Sequence, residues 1–382
     1  YEIRQRNVLR AGTTTITGKK VTPNHGRPDL CLETVAKDIG FENRTKASTT
    51  GPLPKGKVRG KGIALLQKSP AMPVFTSCSA IVKFNEDASV NVLISGVDYG
   101  QGTYSSLANI VAQELSIPRN KVQVVYDCDT ATQPYDWQTV ASRFQVMGGN
   151  ACIDACRDCV AQLKQVAGQV LRAPEHELVC EDERVYVRHS PDQGLSYREL
   201  VLGYTYPNGN SIGGPIIGRG KYIAQGLTHL DPQTGQGKAA LDWTYGAHGV
   251  EIEVDTETGE LEIINISSAF DVGKVIHEGM CRTQVQGGVL QGLGSALFEG
   301  FRFDERGRML NPSFVDYKIP TAKDKPRQMR QHFIETPQLD GPYGARGVGE
   351  HPMISVPSAV GNAIFDATGV DIKDLPLTSE RV

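Results

Sequence analysis

Residues 79–102 read SAIVKFNEDASVNVLISGVDYGQG, and this stretch decides the fold class. Val82 and Phe84 alternate with polar residues before a polar turn, and Val90, Val92 and Ile94 alternate again after it. Alternation with a period of two on both sides of a turn predicts two strands joined as a hairpin. A glycine-flanked loop ends the stretch.

A helix and a further strand are predicted to follow this loop. Leu107, Ile110, Val111 and Leu115 recur at helical spacing before Pro118, which ends the pattern. Residues 122–125 form a short apolar run that is typical of a buried strand.

The same order of elements returns in the second half of the chain. It consists of an alternating run, a turn, a returning strand and an apolar helix face: Val250 to Val254, Asp255 to Gly259, Leu261 to Ile266, and Val285, Val289, Leu293 and Leu297. This self-similarity predicts an internal repeat of strand-strand-helix units. The expected fold is α+β with two lobes.

Glycine-rich stretches are interpreted as the boundaries of these lobes. Residues 1–78 are expected to form an N-terminal segment with a basic linker loop at 51–62, which is a candidate hinge. Residues 79–215 form the first expected lobe and residues 216–382 the second, with the polar stretch 208–220 between them. A helix is predicted at about 149–171, and another begins at 355–357.

Composition excludes several classes of protein. A net charge of −3 and 39% hydrophobic residues are typical of a globular protein, without the basic stripe of a nucleic-acid-binding domain. Apolar runs are shorter than the roughly 18 residues that cross a membrane. The first residues lack Met, so we expect another segment to precede them. Eight scattered cysteines predict no disulfide framework and a reducing, cytoplasmic location.

Two motifs point to other chemistries. Residues 51–57 match the first seven positions of a phosphate-binding loop, but Val58 replaces the Ser or Thr that binds magnesium, which argues against nucleotide hydrolysis. Cys152, Cys156 and Cys159 have the spacing of radical enzymes that use S-adenosylmethionine. They also share one face of an amphipathic helix, which favours core packing. No histidine spacing predicts a zinc site.

Two loops are candidate functional segments. Residues 344–352, GARGVGEHP, present Glu350 between glycines and a helix, either as a base or as a charge that stabilises the helix terminus. Residues 135–143, YDWQTVASR, join a polar loop to a helix, where hydroxyls and backbone amides suit an anionic group. The alternative interpretation of the second loop is a polar helix cap.

Four motifs, in this order, resemble the molybdopterin-binding region of the xanthine dehydrogenase and aldehyde oxidase family. They are Tyr99-Gly100-Gln101-Gly102, Thr139-Val140-Ala141-Ser142, Val289-Leu290-Gln291-Gly292-Leu293-Gly294 and Gly347-Val348-Gly349-Glu350. The resemblance covers nearly the whole chain and identifies it as the C-terminal part of that region.

The resemblance implies roles for individual residues. Glu350 is the expected catalytic base, which takes a proton from a molybdenum-bound hydroxide. The expected contacts to the cofactor or substrate pocket are Gly100, Gln101, Gly102, Thr139, Val140, Ala141, Ser142, Arg143, Gln291 and Gly349. No protein ligand to the metal is expected.

The resemblance also implies cofactors, partners and a reaction. The cofactor is molybdopterin with molybdenum, the cytosine dinucleotide form being an alternative, with iron-sulfur clusters and FAD on other domains or subunits. The expected reaction hydroxylates a heteroaromatic compound such as a purine or nicotinate, or an aldehyde, with water as oxygen source. Residues 70–73 lack the aromatic clamp of purine-oxidising members, and Val140 replaces a common Ala, which puts xanthine in doubt.

The family's other molybdopterin-binding half is missing from the chain. We therefore expect this half, an iron-sulfur subunit and an FAD subunit as partners, and no turnover by the chain alone. Two alternatives remain: a non-catalytic scaffold half that completes the cofactor cradle, and a radical enzyme that uses the three cysteines.

Overall fold

The computed structural model describes residues 1–43, 53, 55–70, 72, 74–241 and 243–382. Residues 51, 52 and 54 of the expected basic loop, and residues 71 and 73 of the stretch without an aromatic clamp, lie outside these described residues. The strands of the described chain are β1 (Lys57–Lys68), β2 (Ser77–Phe84), β3 (Val90–Leu93), β4 (Val122–Val125), β5 (Leu178–Glu181), β6 (Arg184–Val187), β7 (Ser190–Ser196), β8 (Tyr204–Thr205), β9 (Ser211–Ile212), β10 (Ile217–Ile223), β11 (Thr244–Asp255), β12 (Leu261–Asp271) and β13 (Gln328–Ile334).

The α-helices are interspersed among runs of strands, as expected of an α+β chain. They are α1 (Glu2–Asn7), α2 (Pro28–Asp38), α3 (Thr103–Leu115), α4 (Phe144–Leu171), α5 (Tyr197–Leu200), α6 (Glu278–Leu297) and α7 (Val356–Thr368). The predicted hairpins and the helices after them are confirmed. The helix predicted at about 149–171 begins five residues earlier, because Gly148 and Gly149 pack against Phe144 and Pro342 inside a helix instead of forming a loop.

The internal repeat is visible in the topology of two four-stranded sheets. Their strand orders are β10-β2-β3-β4 and β1-β11-β12-β13. In both sheets the first three strands pair antiparallel and the last pair is parallel. A helix precedes the parallel last strand in each case, α3 before β4 and α6 before β13. The two lobes are therefore two copies of one unit.

The edge strands of the two units carry equivalent glycine pairs. A Cβ at Gly60 or Gly62 of β1 would lie 2.2 Å or 2.1 Å from a backbone carbonyl oxygen of α7. A Cβ at Gly218 or Gly220 of β10 would lie 2.1 Å from a backbone carbonyl oxygen of α4. These glycines allow a helix to lie directly on a strand, and they do not form hinges or linkers.

The expected lobe boundaries differ from the sheets. β1 lies in the expected N-terminal segment but pairs along its whole length with β11 of the second unit. β10 begins two residues after the expected boundary at 215/216 but pairs with β2 of the first unit. In the sequence each glycine pair resembles a loop. The glycines are needed because a helix that is distant along the chain packs against them.

The three closely spaced cysteines lie in the hydrophobic core of the first unit. Cys152, Cys156 and Cys159 are buried on α4, as core packing predicts. Burial raises the pKa of Cys152 and of Cys159 to about 12, so their thiols stay protonated. In the described part of the chain no three His, Cys, Asp or Glu side chains form a metal-binding group.

Over the described residues, no helix has the length and apolar character needed to cross a bilayer.

Candidate functional site

A cleft of about 590 Å³ lies where the two units meet. Gly102, at the N-terminus of α3, lies so close to α6 that a Cβ there would be 2.7 Å from the sulfur of Met280. The N-termini of α3 and α6 therefore lie near one another. Eight of the predicted site residues line the cleft: Gly100, Gln101, Thr139, Val140, Ser142, Gln291, Gly349 and Glu350.

The loop before α3 forms one wall of the cleft. Asp98 Oδ1 accepts hydrogen bonds from the backbone nitrogens of Gly100 at 2.9 Å and Gly102 at 3.2 Å, which fixes the loop. Gly100 has a φ of 117°, a conformation that favours glycine. The Gln101 amide donates to Val97 O at 2.7 Å and Thr103 Oγ1 at 3.0 Å. The Gln101 side chain is thus held by its own loop.

The turn at residues 139–143 forms a second wall. Thr139 Oγ1 accepts a hydrogen bond from the backbone nitrogen of Val97 at 2.9 Å, which ties this turn to the loop before α3. Ala141 and Ser142 have φ values of 54° and 60°, which are uncommon for residues with a side chain. Backbone strain of this kind is found most often at functional sites.

Arg143 requires a correction, because its guanidinium does not line the cleft. Its side chain is fully buried, pairs with Asp136 at 3.0 Å and lies over the Trp137 ring at 5.2 Å. Burial raises the pKa of Asp136 to about 6, although Arg143 opposes this shift. A buried charge needs a paired partner, which makes this pair an anchor of the turn.

The glycine-rich loop that carries Glu350 forms the third wall. The buried guanidinium of Arg346 lies 3.6 Å from Asp271 Oδ1 and donates to the backbone oxygens of Asn24 and Thr336. Gly347 packs against the turn so closely that a Cβ would lie 1.7 Å from Ser142 O. Only glycine fits at this approach of two backbones.

Ser142 connects the turn to Glu350. Its Oγ accepts hydrogen bonds from the backbone nitrogens of Gly349 at 3.2 Å and Glu350 at 3.1 Å. The same hydroxyl donates to Glu350 Oε2 at 3.2 Å, and the backbone nitrogen of Ala141 donates to Oε1 at 3.1 Å. Both carboxylate oxygens of Glu350 are thus held by the neighbouring turn.

Lys68 forms an ion pair with the same carboxylate. The side chain of Glu350 is 50% exposed, whereas that of Lys68 is 18% exposed. Partial burial raises the pKa of Glu350. The hydrogen bond and charge of Lys68, together with the hydrogen bonds from Ala141 and Ser142, lower this pKa by more than burial raises it. The resulting pKa lies below the ordinary value, so the carboxylate is ionised at neutral pH.

Sequence reasoning missed several residues at this site. Gln284 donates from Nε2 to Gly349 O at 2.8 Å, and the buried Nε2 of Gln145 has no partner among the described residues. His277 precedes α6 and borders the cleft. A Gln two helical turns before Gln291 on the apolar helix was a usable signal for Gln284. The sequence contains no such signal for Lys68, since its partner Glu350 is 282 residues away.

The chain was then compared with known proteins. A family model described as "Molybdopterin cofactor-binding domain" matches residues 34–326. The chain belongs to this family. It is therefore a molybdopterin-binding chain of the molybdenum hydroxylase type, as the motifs predict.

Individual relatives support the assignment. The chain is 30% identical over 328 residues to the nicotine 6-hydroxylase large subunit of Paenarthrobacter nicotinovorans, covering 85% of this chain and 38% of the relative. It is 29% identical over 387 residues to a putative xanthine dehydrogenase molybdenum-binding subunit of Escherichia coli, covering 100% and 48%. The crystal structure of quinoline 2-oxidoreductase from Pseudomonas putida superposes with a TM-score of 0.81 at 26% identity, covering 100% and 48%. The chain thus spans less than half the length of these relatives.

The cleft fits part of a pterin cofactor. A Cβ at Gly100 or Gly287, both of which line the cleft, meets no atom within 4 Å, so these glycines leave open space that a ligand can fill. The unpartnered Nε2 of Gln145, also at the cleft, is a donor that a bound group can satisfy. Molybdopterin is rich in acceptor atoms, so the unpartnered donor of Gln145 suits it.

Proposed function

We propose that this chain supplies the catalytic base and one wall of the cofactor site of a molybdenum hydroxylase. The observation that carries the proposal is the position of Glu350. Its carboxylate is ionised, held at both oxygens, and exposed at the wall of the cleft beside the motifs expected to contact the cofactor. A lone carboxylate in this setting is a candidate general base.

The proposed reaction is the hydroxylation of a carbon atom with water as oxygen source. Conversion of a C–H bond to a C–OH bond releases two electrons and two protons. When bound, the molybdenum centre supplies the redox chemistry and a nucleophilic oxygen at neutral pH. Glu350 accepts one proton at a carboxylate oxygen, while Ser142 and Ala141 each hold one of its two oxygens and so fix the carboxylate at the wall of the cleft.

The ionised state of Glu350 has two consequences. The low pKa keeps nearly all molecules in the proton-accepting form at neutral pH. The same low pKa makes the carboxylate a weaker base than one matched to the pH of the reaction. Orientation of the carboxylate is therefore expected to matter as much as its basicity.

The proposed substrates are nitrogen heteroaromatic compounds, with aldehydes as a second class. Two relatives named for such ring compounds, nicotine and quinoline, share 30% and 26% identity with this chain. The part of the cleft that this chain supplies is lined by partly exposed apolar or aromatic side chains, including Val140 and Tyr99. Such a wall suits a planar ring.

The proposed partners are the remaining part of the molybdopterin-binding subunit, an iron-sulfur component and an FAD component. The chain covers 38% of one relative and 48% of another, which supports a cofactor site that residues outside this chain complete. We expect no turnover by this chain alone. We also expect the electrons released by the reaction to leave through the iron-sulfur and FAD components.

Replacement of Glu350 by Gln tests the proposal in the assembled, molybdenum-loaded enzyme. Loss of a general base is expected to lower turnover of nicotinate or benzaldehyde by roughly 10²-fold or more, with metal and pterin content unchanged. Glu305→Gln, at an exposed position outside the cleft, is the control. Unchanged turnover in Glu350→Gln would favour the scaffold alternative.

A further inference from the structure

Lys68 is the cation closest to the proposed base, and it comes from a distant part of the chain. It is the last residue of β1, and Thr244 Oγ1 donates to its backbone oxygen at 3.2 Å. Its ammonium forms the ion pair with Glu350 Oε2 and also donates to Ser142 Oγ at 3.4 Å. Lys68 therefore contacts both the base and the hydroxyl that holds it.

The geometry separates the roles of the two charged groups. Glu350 borders the cleft, whereas Lys68 is not among the described residues that line it. A substrate or cofactor in the cleft thus meets the carboxylate, while the ammonium contacts the carboxylate and the Ser142 hydroxyl without lining the cleft. Lys68 is placed to influence the base without contacting the reacting atoms.

We propose that Lys68 is a positioning residue for Glu350, which fixes the orientation of the carboxylate and keeps it ionised. This inference rests on the proposed function of Glu350 as the base. A positive charge next to a carboxylate stabilises its ionised form. An ion pair whose carboxylate is half exposed contributes little to folding stability, so the main effect of Lys68 falls on the protonation and orientation of Glu350.

The first test measures the protonation of Glu350 without catalysis. The protein is labelled with a carbodiimide and glycinamide at a series of pH values, because carbodiimides react with protonated carboxyl groups, and peptides are quantified by mass spectrometry. In Lys68→Met the pH of half-maximal labelling at Glu350 is expected to rise by about one unit. Lys68→Arg keeps the positive charge and should retain the wild-type profile.

Two controls make this experiment decisive. Glu305 is exposed and distant in sequence, and its labelling profile should be the same in all variants, which shows that the labelling reaction itself is unchanged. Lys68→Gln serves as a second neutral variant should Lys68→Met fail to fold. An unchanged Glu350 profile in the neutral variants would overturn the proposal.

The second test measures turnover of the molybdenum-loaded enzyme with nicotinate or benzaldehyde. The acid limb of the kcat/KM profile is expected to move upward by about one pH unit in Lys68→Met and to stay in place in Lys68→Arg. Loss of activity that is equal at every pH and not rescued by Arg would indicate a structural role and count against the inference. A labelling profile that shifts in Lys68→Met, together with full turnover in Glu350→Gln, would refute the role of Glu350 as the base. The effect of Lys68 on the Glu350 carboxylate would still stand.

Discussion

Ser142 Oγ lies 3.1 Å from the backbone nitrogen of Glu350 and 3.2 Å from Oε2 of the same residue. One hydroxyl thus accepts from the backbone and donates to the side chain of the residue that we propose as the base. Ser142 belongs to the first unit of the repeat and Glu350 to the second. The proposed base is therefore oriented by a contact between the two units.

Removal of the Ser142 hydroxyl tests this contact. Ser142→Ala leaves two backbone N–H groups without an acceptor and removes one donor from the carboxylate. We expect turnover to fall about tenfold, since a lost hydrogen bond of this kind corresponds to about 1–1.5 kcal/mol. Turnover at saturating substrate in the molybdenum-loaded enzyme is the measurement.

Ser142→Gly separates the hydroxyl from the backbone conformation. Glycine tolerates the φ of 60° at this position better than alanine does, and it lacks the hydroxyl too. Both variants should lose activity to a similar extent. Full activity in the glycine variant, with a loss in the alanine variant, would show that backbone strain and not the hydrogen bonds matters.

Gly347 is predicted to be intolerant of any side chain. In Gly347→Ala the new methyl group would lie 1.7 Å from Ser142 O, so the two loops must separate. We expect a loss of about 1–3 kcal/mol in the free energy of unfolding and a lower molybdenum content per chain. Denaturant unfolding and metal analysis measure the two effects.

Gly214→Ala is the matched control for this substitution. Gly214 has no atom within 4 Å of an added Cβ, so both quantities should stay at the wild-type level. A wild-type molybdenum content in Gly347→Ala would mean that the close packing of the two loops is not needed for the cofactor site.

Cys156 tests whether the three cysteines are core residues or cluster ligands. Its thiol is fully buried, and Cys156→Ser places a hydroxyl in the same apolar surroundings. We expect a loss of about 1–3 kcal/mol in the free energy of unfolding and no change in bound iron. Cys128→Ser, at an exposed position, should be neutral in both measurements. Iron that disappears specifically with Cys156 would revive the radical-enzyme alternative.

Periodic apolar patterns made the hairpins, the helices and the repeat predictable. The glycine pairs of β1 and β10 made the lobe boundaries unpredictable, because a glycine needed for contact with a helix is indistinguishable in sequence from one that forms a loop. Gly60 contacts Ala363 and Gly218 contacts Ala155, and neither distance can be inferred from local pattern.

The motifs located the proposed base but not the residues around it. Motif residues of the two units line one cleft, in agreement with the repeat. The ion pair of Lys68 with Glu350 depends on where β1 ends. The ion pair of Arg143 with Asp136 depends on how the turn at residues 139–143 folds back. Such contacts follow from the tertiary structure and from no sequence pattern.

Two buried histidines predict an acid-sensitive fold. Burial lowers the pKa of His351 to about 3, with contributions from Lys68 and His248, and burial lowers the pKa of His248 to about 4. The unfolded chain binds protons at these groups as the pH falls below 6.5, and the folded chain does not. The free energy of unfolding should therefore fall by about 2 kcal/mol for each histidine between pH 7.5 and pH 5.

Urea unfolding of variants measures this loss. His351→Leu should remove about half of the combined loss from the two histidines, and His189→Gln, at an exposed position, should leave the combined loss unchanged. An identical pH dependence in His351→Leu would show that His351 titrates normally in the folded protein.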